Sequence, residues 1–250
     1  MRGSRRFLLW LSALLAIAAG LPGRAAAALP VSGGPVAPTA TDGGTWLAAS
    51  DGGVFAFGDA AFFGSAGGRR LVRPVVGMAG TATGNGYWLV AADGGIFTFG
   101  DAVYRGGAGA TKLKSPVVGM ATTPGGRGYW LAGADGGVFP FGDAGSFGGL
   151  SGHKLAAPIV GMAATPSGHG YWLVGSNGGV FGFGDAGDFG SLGSSHVNSP
   201  ITGIATTADG LGYWLSSTDG GVFSFGDAPF LGSMGGQRLN RPVIGLTSNG

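Results

Sequence analysis

A closed all-β ring, a five-bladed β-propeller, is the fold class this sequence predicts, and three observations predict it. Trp46, Trp88, Trp130, Trp172 and Trp214 recur every 42 residues, as do Asp59, Asp101, Asp143, Asp185 and Asp227. Each period carries strand-like runs broken by glycine turns, with no helical periodicity between them. The first unit, starting at Thr41, lacks the Pro-Val-Val-Gly-Met run of the others, and the chain supplies a copy at its end as Pro242-Val243-Ile244-Gly245-Leu246. A period of this size marks stacked or radial supersecondary units. A last strand that completes the first unit would close a ring and remove exposed sheet edges.

Each unit is justified in chain order. Pro116-Val117-Val118-Gly119-Met120-Ala121 opens one as a strand of small and branched residues. Tyr87-Trp88-Leu89-Val90-Ala91 is apolar on both alternating faces, as a strand covered on both sides requires. Asp93-Gly94-Gly95 follows as a hairpin turn, because Gly accepts positive φ and Asp-Gly suits tight turns. Ile96-Phe97-Thr98-Phe99 returns, Gly100-Asp101 breaks the pattern, and Val103-Tyr104 begins a weaker fourth extended piece. The paired phenylalanines, from Phe55 and Phe57 to Phe223 and Phe225, are expected to face the Trp series across the hairpins. Pro140 fits poorly, since a central strand there needs an N–H. The predicted blades therefore have three strands and, in places, a fourth. Residues 41–250 make the propeller, with 41–73 and 242–250 sharing one blade.

The N-terminus reads differently. Arg2, Arg5 and Arg6 precede the apolar run Phe7–Ala19, and Ala25-Ala26-Ala27 offers small-residue cleavage sites. Residues 1–28 thus read as a secretory signal peptide, exported by the general secretory route or, given the Arg5-Arg6 pair, the twin-arginine route. Residues 29–40, rich in Pro, Gly and Ala, read as a linker. The expected location is secreted or cell-wall associated, with no membrane span in the mature chain.

Composition narrows the function. The chain has 14 Lys+Arg and 12 acids, all Asp. Four of the cations fall in 1–28, which leaves ten against twelve, a net −2 for the mature chain. That balance removes the main support for a nucleic-acid partner, which needs a dense basic surface. The absence of Cys means that packing, not disulfides, must hold an exported fold. The 57 glycines recur at fixed phase beside large aromatics, so the chain is a folded repeat and not a low-complexity one.

The run Gly-Tyr-Trp-Leu-Val, Asp-Gly-Gly-Val-Phe and Phe-Gly-Asp-Ala, over residues 41–250, resembles a repeat of secreted actinobacterial proteins. There it often stands beside cell-wall or polysaccharide hydrolase domains. The alternation of an aromatic strand, a Gly turn and a second aromatic strand is also similar to the tachylectin-type five-bladed lectins. These bind N-acetylated sugars between blades. Their Asp-Asn-Trp signature is missing here, so no sugar-contact residue carries over. The Asp-Gly-Gly turn resembles the Asp-box of sialidase propellers, but Val-Phe stands where Thr-Trp should follow.

Candidate sites follow from the repeat. Tyr87, Tyr129, Tyr171 and Tyr213 and the Trp series offer sugar-stacking platforms, although mid-strand placement argues for core. The Gly-Asp-Ala aspartates form a five-fold set that is either a cation-holding ring or a set of Asx-turns. Arg70, Lys112, Lys154, His196 and Arg238, again 42 apart, put cationic groups on one face for acidic glycans, phosphates or carboxylates. Asn85, Arg127, His169 and Leu211 vary at loop tips, where specificity can be placed on a fixed frame. Five-fold symmetry disfavours catalysis, which needs unlike groups in defined roles at one place. Off the consensus stand only Asp42, Asp188, Asp209, His153, His169 and a few others, in no recognisable constellation. The expectation is a monomeric, lectin-like, non-catalytic module without cofactor or metal. It would bind a glycan or cell-wall polymer between blades; the alternatives are a scaffold of a secreted assembly and, less favoured, a propeller glycoside hydrolase.

Overall fold

The computed structural model describes residues 36–39, 43–195 and 197–247, so the expected signal peptide lies outside the described residues. Its strands form five three-stranded antiparallel sheets. Sheet 1 is β1 (Val36–Pro38), β2 (Gly44–Ala48) and β3 (Val54–Gly58). Sheet 2 is β4 (Val75–Gly80), β5 (Gly86–Ala91) and β6 (Ile96–Gly100). Sheet 3 is β7 (Val117–Thr122), β8 (Gly128–Gly133) and β9 (Val138–Gly142). Sheet 4 is β10 (Ile159–Ala164), β11 (Gly170–Gly175) and β12 (Val180–Gly184). Sheet 5 is β13 (Ile201–Thr206), β14 (Gly212–Ser217) and β15 (Val222–Gly226). The first strands of successive sheets pack on one another, from β1 on β4 to β10 on β13. They are rich in Gly, Ala and Val, which lets them approach closely at the middle of the array.

The fourth extended piece is present but makes no ladder. In sheet 2 the chain leaves β6, and Val103 O accepts the indole N–H of Trp88 at 3.0 Å. It then returns to the hairpin-turn end, where Ala108 N–H donates to Gly94 O at 2.9 Å. The third strand is thus the outermost ladder strand. Pro140 therefore sits opposite Trp130 on an edge, where its missing N–H costs nothing.

Three expectations need correction. The phenylalanines do not face the tryptophans: Phe99 is opposite Tyr87 and Phe97 opposite Leu89, while Trp88 is opposite Thr98. Side chains two apart share a face, so the bulky Trp is matched with the small position, Ala56, Thr98, Pro140, Gly182 or Ser224. Next, the expected linker 29–40 contains a strand. Val36–Pro38 pairs with β2, Ala37 opposite Trp46. Finally, Pro242–Leu246 does not pair with β2. Val243 N–H donates to Thr218 O at 3.0 Å, as Val117 N–H donates to Ala92 O at 2.9 Å between sheets 2 and 3. The segment therefore takes the first-strand position after sheet 5, while β1 fills that position in sheet 1.

Tyrosines lock the sheets together. Tyr87 O–H donates to Gly64 O at 2.5 Å and accepts from Phe63 N–H at 3.2 Å, both in the preceding unit. Tyr129 and Tyr171 repeat both contacts on Gly106 and Arg105 and on Gly148 and Phe147, and Tyr213 donates to Gly190 O. The same rings pack on the preceding tryptophans, with centroids 5.4–6.0 Å apart. The platform reading is thereby settled for these residues: Tyr87, Tyr129, Tyr171 and Tyr213 are fully buried, and Trp46, Trp88, Trp130 and Trp172 are no more than 1 % exposed.

Glycine is required where the third strand ends. Gly142 has φ of 68°, and a Cβ there would stand 2.2 Å from the carbonyl oxygen of Arg127. Gly142→Ala combines left-handed strain with a backbone clash, and we expect a loss of about 2–4 kcal/mol in denaturant titration.

Candidate functional site

Strand direction divides the functional candidates between two faces. The Asp-Gly-Gly turns and the loops that lead to the next sheet lie at one end of every sheet, the turn face. The tips between first and second strands, with the Gly-Asp-Ala aspartates, lie at the other end, the tip face.

On the tip face the carboxylates are engaged. Thr123 O–H donates to Asp143 at 2.8 Å and Thr165 O–H to Asp185 at 2.9 Å, with Ser167 O–H on the second oxygen of Asp185 at 2.5 Å. Thr39 donates to Asp59, and Thr83 to Asp101. The same threonine hydroxyls close the tip, since Gly128 N–H donates to Thr123 Oγ1 at 3.1 Å. Asp59, Asp101, Asp143 and Asp185 thus tie the tip to the end of the third strand. Among the described residues no three His, Cys, Asp or Glu come together as a metal site. Asp209 adds a departure in sheet 5: Leu211 N–H and then Thr207 O–H hold its carboxyl below the usual range. Asn85, Arg127, His169 and Leu211 are exposed at this face, one per tip.

The Asx-turns are on the turn face. Gly95 N–H donates to Asp93 at 3.0 Å, and Gly137, Gly179 and Gly221 repeat the bond on Asp135, Asn177 and Asp219. Burial raises the Asp135 carboxyl, but the Ser115 hydroxyl, Gly137 N–H and Ser151 hydroxyl outweigh it and leave it low. For Asp219 the Ser217 hydroxyl leads the same lowering.

The exposed cations gather on this face. Arg70, Lys112, Lys154 and Arg238 stand in successive loops, and His196 lies outside the described residues. They are joined by Arg69, Arg73, Lys114 and Arg241, against Asp51, Asp93, Asp135 and Asp219. The tip face carries Asp59, Asp101, Asp143, Asp185, Asp209 and Asp227 against Arg127, while exposed Arg105 and Asp188 lie between the faces in the stretches that return from the third strands. A chain of near-zero net charge is therefore split into a basic face and an acidic face. The seven described candidate ligand residues do not form one site: Arg70, Lys112, Lys154 and Arg238 are on the first, and Asn85, Arg127 and His169 on the second.

Among the described residues, two grooves on the turn face stand out. The larger, about 560 Å³, runs beside the Asp93 turn between Arg73-Pro74 and the loop Gly109–Pro116, and includes Lys114, Thr111 and Ser115. The other, about 250 Å³, runs beside the Asp219 turn and is lined by Ser199, Ser217, Ser233, Val197 and Phe223. Periodicity alone does not single out Arg73 or Lys114. The signal is their break with it: the equivalents of Arg73 are Ser115, Ala157, Ser199 and Arg241, and those of Lys114 are Val72, Ala156, Asn198 and Asn240.

No protein-family model matches the chain. No curated protein matches it. Among solved structures it is similar to the β-propeller domain of Cps50 (Swd1) from Myceliophteria thermophila, with a TM-score of 0.53 and 9 % identity over 81 % of this chain and 72 % of that one. That likeness, with the five sheets, makes the array a β-propeller assembly whose sheets are blades.

Proposed function

We propose that this chain is an exported, non-catalytic binding module that holds an acidic glycan or another anionic cell-wall polymer on its turn face. The observation that carries the reading is the charge split between the two faces, with the larger groove flanked by Arg73 and Lys114 on the basic one. The buried tyrosines and tryptophans and the threonine-bonded Gly-Asp-Ala carboxylates are occupied in holding the fold together, so recognition falls to the loops. Exposed cations contribute little singly, and screening weakens them beyond about 8 Å at physiological salt. A polymer that repeats its charge engages several loops at once, and its second and later contacts are intramolecular. Residues 1–28 serve as the export signal in this reading, and an N-terminus near residue 29 on protein recovered from the medium checks it.

The test is co-sedimentation of purified protein with cell walls and with neutral and acidic insoluble polysaccharides. Saturable binding to acidic polymers, weakened by salt and competed by a soluble acidic fragment, is expected. A folded protein that sediments with none of them defeats the reading and leaves a protein-interaction scaffold, for which exposed Phe55 and Phe57 at one end of the array would be the first surface to probe.

A further inference from the structure

Four seams join the five blades, and each is built alike: a tyrosine of the following blade reaches back, and a phenylalanine of that blade covers a glycine. A Cβ at Gly64 would meet Phe99 at 2.9 Å, and one at Gly106 would meet Phe141 at 2.6 Å. Blade 5 presents the same receiving surface with nothing described upon it. Gly232 has no described atom within 4 Å of its Cβ position, Leu231 is 54 % exposed, and Trp214 alone of its series is not buried. Blade 1 presents the complementary surface. Phe57, equivalent to Phe99, is 54 % exposed. Among the described residues the two surfaces do not meet: strands of sheets 1 and 5 are not packed together as those of successive sheets are.

We propose that these two ends are a head-to-tail interface between copies of this chain, with Phe57 of one copy seated on Gly232 of the next. The occupant is argued from continuity with the four internal seams, whose knob and hole both ends reproduce. Pro242–Leu246 supports it further. It already lies against blade 5 through the Val243 N–H bond to Thr218 O, with Ile244 47 % exposed, and among the described residues no strand pairs with it. In this contact the neighbour's Pro242–Leu246 replaces β1 along β2 as an exchanged strand. Thr45 stands where the other blades carry tyrosine, so this contact lacks the hydroxyl staple and is weaker than the internal seams. The proposal departs from the monomer that the sequence suggests, and it does not depend on the polymer reading.

The experiment is sedimentation velocity of the full chain over a hundredfold concentration range, with Phe57→Lys and Leu231→Lys variants. The unmodified chain is expected to gain mass with concentration beyond a dimer, since a head-to-tail contact leaves two free ends. Each variant alone should stay monomeric. Mixed, they should form a 1:1 dimer and stop, because each retains one intact end. A native near-ultraviolet dichroism spectrum is required of both; if either fails it, Phe55→Lys and Leu231→Ser take their places. An unmodified chain that is monomeric throughout overturns the proposal, and ring closure within one chain gives that result. Association that survives either variant also overturns it.

Discussion

Replacing Trp130 by alanine is expected to cost about 3–5 kcal/mol, a large share of the roughly 5–15 kcal/mol that holds a domain folded. The indole is fully buried, lies 5.7 Å from Tyr171 and 6.4 Å from Phe147, and donates to Gly145 O at 2.6 Å. Removing it opens a cavity between two blades and strips the carbonyl of its partner. At about 2–4 °C per kcal/mol for a domain of this size, the melting temperature should fall by roughly 10 °C or more. Trp214→Ala is the internal control. Its indole makes the same bond, to Pro229 O at 2.7 Å, but no tyrosine covers it and it is not buried. Its loss should be about half as large. Equal losses in calorimetry would mean that the end of the array is packed like its middle.

Removal of one tyrosine hydroxyl is expected to have the next largest effect. Tyr171→Phe leaves Gly148 O without its donor at 2.6 Å and Phe147 N–H without its acceptor at 3.3 Å. Stranding two partly buried backbone groups costs about 2–4 kcal/mol. The same hydroxyls set an alkaline limit. Burial raises Tyr87, Tyr129 and Tyr171, and burial together with Asp188 pushes Tyr213 up to about 12. A pKa raised in the folded state contributes stability that is complete below the unfolded value of 10.0 and is lost as pH rises through the folded one. Stability should therefore decline from about pH 10 towards 12. Tyrosine absorbance and tryptophan fluorescence should change together in that range. Free titration of all tyrosines near pH 10 in a still-folded chain would show that the hydroxyls are not tied between blades.

Much of the fold was legible because its cause is local and repeated. Asp-Gly-Gly dictates a turn, a run apolar on both faces dictates a covered strand, and 42-residue spacing makes one unit stand for five. What was not legible depends on partners distant in the chain. Which residue faces Trp88 depends on a register that the hairpin loop fixes, and composition does not show it. β1 carried a readable signal that composition hid: Val36-Ala37-Pro38-Thr39 stands 42 residues before Met78-Ala79-Gly80-Thr81, but proline and alanine made it look like linker. Thr39 bonds the tip and Asp59 there as Thr123 bonds Gly128 and Asp143 in blade 3. For the candidate site, the cations were legible as a set. Their separation from Asn85, Arg127 and His169 was not, because it follows from strand direction.

The most direct test of the polymer-binding account compares two double variants in the co-sedimentation assay with an acidic polymer. Arg73→Asp with Lys114→Asp alters the turn face, and Arg127→Asp with His169→Asp alters the tip face by a similar change in charge. The account predicts that the first pair lowers affinity at least tenfold and the second leaves it within about twofold, the difference shrinking as salt rises. Equal losses from both pairs, or a loss confined to the tip-face pair, would contradict it.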